Sequence, residues 1–109
     1  MDVECCEPLS APALTEDAAA ETAELFKALA DPARVRIVNL LATSGEPVCV
    51  CNLVEPLGLS QPTVSHHMKK LADVGIVERE QRGRGAYFSL RPAAVDALAS
   101  VTDLRGACC

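Results

Sequence analysis

Two stretches with helical patterning meet at Gly58-Leu59-Ser60, and this junction restricts the fold more than any other feature of the chain. Glycine readily ends one helix and serine readily caps the next, so the chain is expected to turn sharply here. After the junction, Val64, Met68 and Leu71 recur at the spacing of a single buried helix face. Two short helices joined in this way are typical of a helix-turn-helix.

The chain before the junction is predicted to be helical. Thr15 and Asp31 cap two helices, and Pro32 takes the first position of the second. Gly45-Glu46-Pro47 is predicted to begin a third helix, which Gly58 ends. The expected inward positions of the first two helices are Thr22, Leu25, Phe26, Leu29, Val35, Ile37, Val38, Leu40 and Leu41.

The chain after the junction is predicted to contain a hairpin between two helices. Ser60 caps a fourth helix, which ends at Gly75. Extended runs at 76–80 and 86–90 flank a turn rich in glycine and arginine. A last helix begins at Pro92, and its expected inward positions are Val95, Leu98 and either Val101 or Thr102. The predicted fold is mainly α with a β-hairpin, in the order ααααββα of a winged helix-turn-helix.

The predicted domain, residues 15–105, lies between a flexible arm (1–14) and a short tail (106–109). The 109 residues include no Trp, one Tyr and two Phe, so the core must consist mostly of aliphatic side chains. A chain of this size buries only about two-thirds of its unfolded surface, so dimerisation would help to stabilise it. No apolar run is long enough to span a membrane, and the amino end does not resemble a secretion signal, so we expect a cytoplasmic location.

Charge is distributed unevenly along the chain. The net charge of −5 would by itself argue against a nucleic-acid partner. However, residues 1–31 carry eight acidic side chains against Lys27 alone, whereas residues 60–91 carry six Lys or Arg against three acids. A basic surface on an acidic protein can still contact phosphates locally.

The fourth helix presents polar side chains once its apolar stripe is buried. Glutamine can pair with adenine and threonine can contact base edges, whereas lysine suits phosphates. The hairpin arginines are suited to a narrow minor groove or its phosphates. Candidate DNA-binding residues are Ser60, Gln61, Thr63, Ser65, His66, Lys69, Lys70, Arg82 and Arg84. The alternative is a solvated helix beside an unrelated basic turn. His67 adjoins the stripe and is interpreted as a partly buried structural histidine.

Six cysteines form three close pairs: Cys5-Cys6, Cys49-x-Cys51 and Cys108-Cys109. Disulfides would require an oxidising compartment, whereas paired cysteines in a reducing cytosol more often bind metal or serve redox chemistry. The alternative for the central pair is two small apolar side chains in a core. Residues two apart on an α-helix point about 200° apart, so both sulfurs can bind one ion only if the helix loosens. We expect this strain to act on the fourth helix, which is the recognition helix of the predicted helix-turn-helix. We expect the hairpin tip to lie outside the thiol site.

Three segments resemble the arsenical-resistance repressor (ArsR/SmtB) family of bacterial metal-sensing repressors. They are FKALADPAR at 26–34, VCVCNL at 48–53 and SQPTVSHHMK at 60–69, and the hairpin ending in Tyr87 is similar as well. The resemblance covers about residues 20–91. It implies a homodimer on double-stranded operator DNA of two-fold symmetry, and it implies that metal binding releases the DNA.

The resemblance also supports a metal site that joins the arm to the central pair. Candidate ligands are Cys5, Cys6, Cys49 and Cys51, with Cys108 and Cys109 as the less favoured choice. Three sulfurs suit As(III) or Sb(III), whereas four suit Cd(II), Pb(II) or Zn(II). The family's zinc site on the last helix is not supported, because that helix offers two aspartates but no histidine.

The predicted function is a metalloid-responsive repressor, without enzymatic activity and without a membrane or small organic partner. Sensing of Cd(II) or Pb(II), or of thiol oxidation, would use the same cysteines. A thiol oxidoreductase is disfavoured because no C-x-x-C precedes a helix and no βαβ pattern occurs. A metal carrier would leave the recognition helix and the hairpin unexplained.

Overall fold

The computed structural model describes residues 14–103, which form five α-helices and a three-stranded antiparallel sheet. In chain order the elements are α1 (Glu16–Ala28), α2 (Pro32–Ser44), β1 (Val48–Cys49), a 3-10 helix (Val50–Asn52), α3 (Val54–Leu57), α4 (Gln61–Asp73), β2 (Val77–Arg82), β3 (Gly85–Leu90) and α5 (Pro92–Thr102). The predicted winged helix-turn-helix is confirmed, with β1 added to it. The predicted arm and tail lie almost wholly outside the described residues and stay predictions.

The predicted helix caps are confirmed. Thr15 caps α1 through its side chain. Asp31 Oδ1 accepts the Ala33 backbone N–H at 2.8 Å at the start of α2. Ser60 Oγ accepts the Thr63 backbone N–H at 3.4 Å at the start of α4. Each cap satisfies a backbone donor that has no partner within its helix, so these side chains fix where the helices begin.

The core lies between α2, α4 and the sheet, while α1 packs against α5. The stripe predicted on α4 is confirmed, since Val64, Met68 and Leu71 are fully buried. The other side chains that are almost completely buried are Ile37, Leu53, Ile76 and Val77. Burial of this stripe orients α4 so that its polar face points outward.

Several positions predicted to face inward are exposed in the single chain. Val35 is 53% exposed and Val95 is 42% exposed, and both predictions are wrong for the monomer. Phe26 and Val101 are exposed as well. On α5 the inward position is taken by Ala94. Because this helix is apolar on most of its surface, its pattern cannot indicate which face packs on α1.

The helix predicted to begin at Gly45-Glu46-Pro47 does not form there. The chain is extended at β1, where Val48 pairs with Phe88 and Cys49 with Tyr87 of β3. A 3-10 helix follows, and α3 is reduced to four residues. Alternating valine and cysteine suits a strand, and the neighbouring β3 supplies its hydrogen-bond partners. The Cys-Val-Cys pair therefore does not open an α-helix.

The hairpin is longer than predicted and its turn is shorter. β2 and β3 pair from Val77↔Leu90 to Arg82↔Gly85, which leaves a two-residue turn. Gly83 opens this turn with a φ of 58°, a conformation that glycine adopts without steric cost. Arg82 consequently belongs to a strand, and Arg84 is the arginine in the turn.

Within residues 14–103, every helix is too short or too polar to span a bilayer.

Candidate DNA-binding surface and thiol pair

The polar face of α4 and its cap form one exposed surface. All seven candidate DNA-binding residues of this segment are exposed: Ser60, Gln61, Thr63, Ser65, His66, Lys69 and Lys70. Lys69 pairs with Asp73 at 3.1 Å, but their side chains are 74% and 55% exposed. An ion pair this exposed contributes little to stability, so Lys69 can exchange its partner for a phosphate.

Arg34 of α2 supports α4 through a hydrogen bond to His67. Arg34 Nε donates to His67 Nδ1 at 3.1 Å, and Arg34 Nη1 donates to the Ala28 carbonyl at 3.1 Å. One guanidinium thus connects the end of α1, the start of α2 and the middle of α4. The interpretation of His67 as a partly buried structural histidine is confirmed. The role of Arg34 was missed, because the two partners are 33 residues apart and no local pattern links them.

The two candidate arginines of the hairpin occupy different environments. Arg82 makes two hydrogen bonds to the Glu80 carboxylate, at 2.9 and 3.2 Å, and its guanidinium lies 5.1 Å from the centre of the Tyr87 ring. The hydrogen bonds from Arg82 lower the pKa of the Glu80 carboxyl group. Arg84 takes no part in the ion pairs found within residues 14–103. Its guanidinium is therefore not held by a carboxylate of these residues, whereas that of Arg82 is.

Arg79 is a basic residue of this surface that the sequence analysis did not select. Alternation along β2 puts it on the same face as the buried Val77, toward α4. It lines a cleft beside Ser65 and Lys69, and its Nη2 donates to Gln81 Oε1 at 2.6 Å. The alternation from Val77 was the signal that could have identified it.

Cys49 and Cys51 lie side by side at the end of β1 and in the 3-10 helix. Cys49 is half-buried and Cys51 is exposed, so the interpretation of the pair as apolar core residues is wrong. The Cys51 backbone N–H points to Cys49 Sγ at an N-to-S distance of 3.4 Å. Hydrogen bonding from the side chain and the backbone of Cys51 lowers the pKa of the Cys49 thiol, and the same side-chain bond raises the pKa of Cys51. The pair favours one thiolate, at Cys49.

This geometry removes the premise of the predicted helix strain. The separation of about 200° expected on an α-helix does not apply, because the segment is a strand followed by a 3-10 helix, and the Cys51 backbone nitrogen lies 3.4 Å from Cys49 Sγ. Two adjacent accessible sulfurs suit a soft metalloid, although As(III) or Sb(III) takes a third ligand. Residues 14–103 contain no cluster of three or more His, Cys, Asp or Glu placed to hold an ion. The remaining candidate ligands, Cys5, Cys6, Cys108 and Cys109, lie outside the described residues.

The thiol pair opens into a cleft of about 410 Å³ between the start of α4 and the hairpin. Its lining residues are Cys49, Val50, Cys51, Gln61, Ser65, Arg79, Arg84, Gly85 and Ala86. Cys49 Sγ lies 3.9 Å from the position that a Cβ on Gly85 would take. The expectation that the hairpin tip lies outside the thiol site is therefore wrong.

Comparison with known proteins identifies the family. Residues 31–79 match the model described as bacterial regulatory protein, arsR family. The arsenical resistance operon repressor of Staphylococcus xylosus is 37% identical over 84 residues, which are 77% of this chain and 79% of that protein. The chain belongs to the arsR family. As a member it is a transcriptional regulator and not an enzyme.

The chain is also similar to a cadmium resistance regulator and to two solved structures. The cadmium resistance transcriptional regulatory protein CadC homolog of Staphylococcus aureus is 39% identical over 70 residues, 64% of this chain and 57% of that protein. The AntR antimony-specific transcriptional repressor superposes with a TM-score of 0.69 and 29% identity, over 84% of this chain and 82% of AntR. The homodimeric winged helix-turn-helix DNA-binding domain Mb0332 of Mycobacterium bovis superposes with a TM-score of 0.66 and 25% identity, over 84% of this chain and 86% of that domain.

Proposed function

We propose that this arsR-family regulator is a repressor that binds operator DNA as a dimer and leaves it when As(III) or Sb(III) binds its cysteine thiolates. The observation that carries the proposal is the accessible Cys49–Cys51 pair beside the start of α4. The similarity to the arsenical resistance operon repressor and to AntR supports a metalloid as the inducer. Both DNA and reduced thiols are available in the cytoplasm, where we place the protein.

In this proposal α4 lies in the major groove. Gln61 and Thr63 contact base edges, since both are exposed in the first turn of the helix. Lys69 and Lys70 neutralise phosphates and supply affinity without sequence preference. Arg84 reaches the neighbouring backbone from the hairpin turn. Ser60, Ser65, His66 and Arg82 complete the proposed contact surface.

Dimerisation is supported by the two-fold operator that the family resemblance implies and by the exposed apolar side chains of α1 and α5. One recognition helix covers only a half-site, so a symmetric operator requires two chains. Leu14, Phe26, Val95 and Val101 are large apolar side chains that stay exposed in the single chain. They lie at or on the two helices that pack together, and a second copy would cover them. The similarity to the homodimeric Mb0332 domain supports this arrangement.

The inducer site is proposed to need a sulfur beyond Cys49 and Cys51. Three thiolates match the ligand number of trivalent arsenic or antimony. Cys5 or Cys6 on the arm of the same or the partner chain is the proposed source, and Cys108 or Cys109 is the alternative. The bound metalloid would supply the soft electrophilic centre that holds these segments together.

A second candidate is sensing of Cd(II) or Pb(II) through four sulfurs, which the similarity to the CadC homolog supports. Oxidation of the Cys49–Cys51 pair is a third way to use the same cysteines.

The test begins with DNA selected from a random pool by the reduced protein. Fluorescence anisotropy of the complex is then followed during addition of As(III), Sb(III), Cd(II) and Zn(II). We expect release at the lowest concentration with As(III) or Sb(III). Release by Cd(II) alone would favour the second candidate, and failure of the reduced protein to select DNA would refute the proposal.

A further inference from the structure

The thiol pair and the proposed DNA-binding surface share one cleft. Its walls include the two cysteines and three side chains assigned to DNA contact, Gln61, Ser65 and Arg84. The cleft measures about 410 Å³. A water molecule takes about 30 Å³ in the liquid, so the cleft can hold a substituent several times larger. A group attached to either sulfur can therefore enter the cleft beside the first turn of α4.

We infer that the two sites overlap, so that a group bound to Cys49 or Cys51 displaces operator DNA by occupying its contact surface. The inference rests on the proposed DNA-binding function. The two cysteines lie on a strand and a 3-10 helix, with the Cys51 backbone nitrogen 3.4 Å from Cys49 Sγ, so release does not require the α-helix strain predicted from the sequence. Release by overlap depends on the size of the bound group, whereas release by strain depends on the bonds made to both sulfurs.

Adducts on the thiols test this dependence without any metalloid. Methyl methanethiosulfonate gives a small adduct: the thiolate attacks the sulfenyl sulfur, a disulfide to a methylthio group forms and methanesulfinate leaves. N-ethylmaleimide gives a larger one: the thiolate sulfur adds to one alkene carbon and water protonates the other. Both reagents are used in excess so that Cys49 and Cys51 are both capped, because a free neighbouring thiolate would attack a methylthio disulfide, release methanethiol and join the two cysteines.

The protein used is the full chain carrying Cys5→Ser, Cys6→Ser, Cys108→Ser and Cys109→Ser, so that only the central pair reacts. Mass spectrometry identifies which of Cys49 and Cys51 carries the adduct, and circular dichroism confirms that the fold is retained. We expect both adducts to weaken DNA binding, by about threefold to fivefold for the methylthio group, which like a bound metalloid atom is small, and by more than tenfold for the larger maleimide group. Operator DNA should also slow maleimide addition to the Cys49–Cys51 pair more than tenfold.

The matched control carries Ala42→Cys in a chain whose native cysteines are all serine. Ala42 is exposed on α2 and does not line the cleft. Its maleimide adduct should leave DNA affinity unchanged, and DNA should not protect it. Equal affinity of maleimide-labelled and unlabelled central pairs, or equal losses with both adducts, would overturn the overlap. If the unlabelled protein binds DNA normally in that case, the proposed repressor function stands.

Discussion

Replacement of Arg34 by methionine should loosen the support of the recognition helix. Methionine keeps an unbranched apolar stem but removes the donors to His67 Nδ1 and to the Ala28 carbonyl, both at 3.1 Å. A hydrogen bond from a charged group contributes about 1.5–3 kcal/mol. Because both bonds are only part-buried, we take the lower end for each of the two and expect a loss of about 3 kcal/mol in the free energy of unfolding.

Urea unfolding followed by far-UV circular dichroism measures this loss. All variants are compared at one protein concentration, since a dimer's stability depends on concentration. A double-mutant cycle with His67→Leu isolates the Arg34–His67 interaction, for which we expect a coupling energy of about 1–1.5 kcal/mol. The control is Arg36→Met, on the same helix, which removes only an exposed bond to the Pro56 carbonyl at 2.7 Å. A coupling energy below about 0.3 kcal/mol is indistinguishable from additivity and would refute the reasoning.

Three further predictions concern the DNA surface and the thiols. Lys69→Ala should flatten the dependence of log affinity on log salt by about 0.9, and an unchanged slope in anisotropy titrations would exclude a phosphate contact. Arg84→Ala should lower DNA affinity about tenfold, the value of one charge-assisted contact of about 1.5 kcal/mol. Arg82→Ala should lower it less, because Arg82 would have to give up two hydrogen bonds to Glu80 and its contact with the Tyr87 ring to reach a phosphate, and the reverse order would contradict the assignment. Because its pKa is lowered while that of Cys51 is raised, Cys49 should be alkylated by iodoacetamide at a lower pH than Cys51. Peptide mapping across a pH series checks this order.

The recognition helix could be predicted from the sequence because its signals are local. Ser60 caps it, and Val64, Met68 and Leu71 repeat at helical spacing within twelve residues. These signals agree with one another, and the tertiary packing buries the same face of the helix that they indicate. The outward face follows from the buried face, so the exposure of the candidate DNA-binding residues of α4 could be predicted as well.

The surroundings of the thiols could not be predicted because they depend on distant partners. The strand at Val48–Cys49 forms against β3, nearly forty residues away. The cleft combines side chains from three separate segments, and Arg79 enters it only through its position on β2. The prediction for Val95 was wrong for a related reason. A helix that is apolar on most faces does not indicate which face packs within its own chain.

The central claim is that the Cys49–Cys51 pair releases the protein from DNA. Its most direct test is As(III)-induced release of operator DNA from the protein carrying Cys49→Ser and Cys51→Ser, with Cys108→Ser and Cys109→Ser as the matched control. Serine is similar in size but lacks the soft thiolate donor, so the central variant should bind DNA normally and stay bound in As(III), while the control is released. Normal release from the central variant would contradict the account and assign the sensor to the ends of the chain.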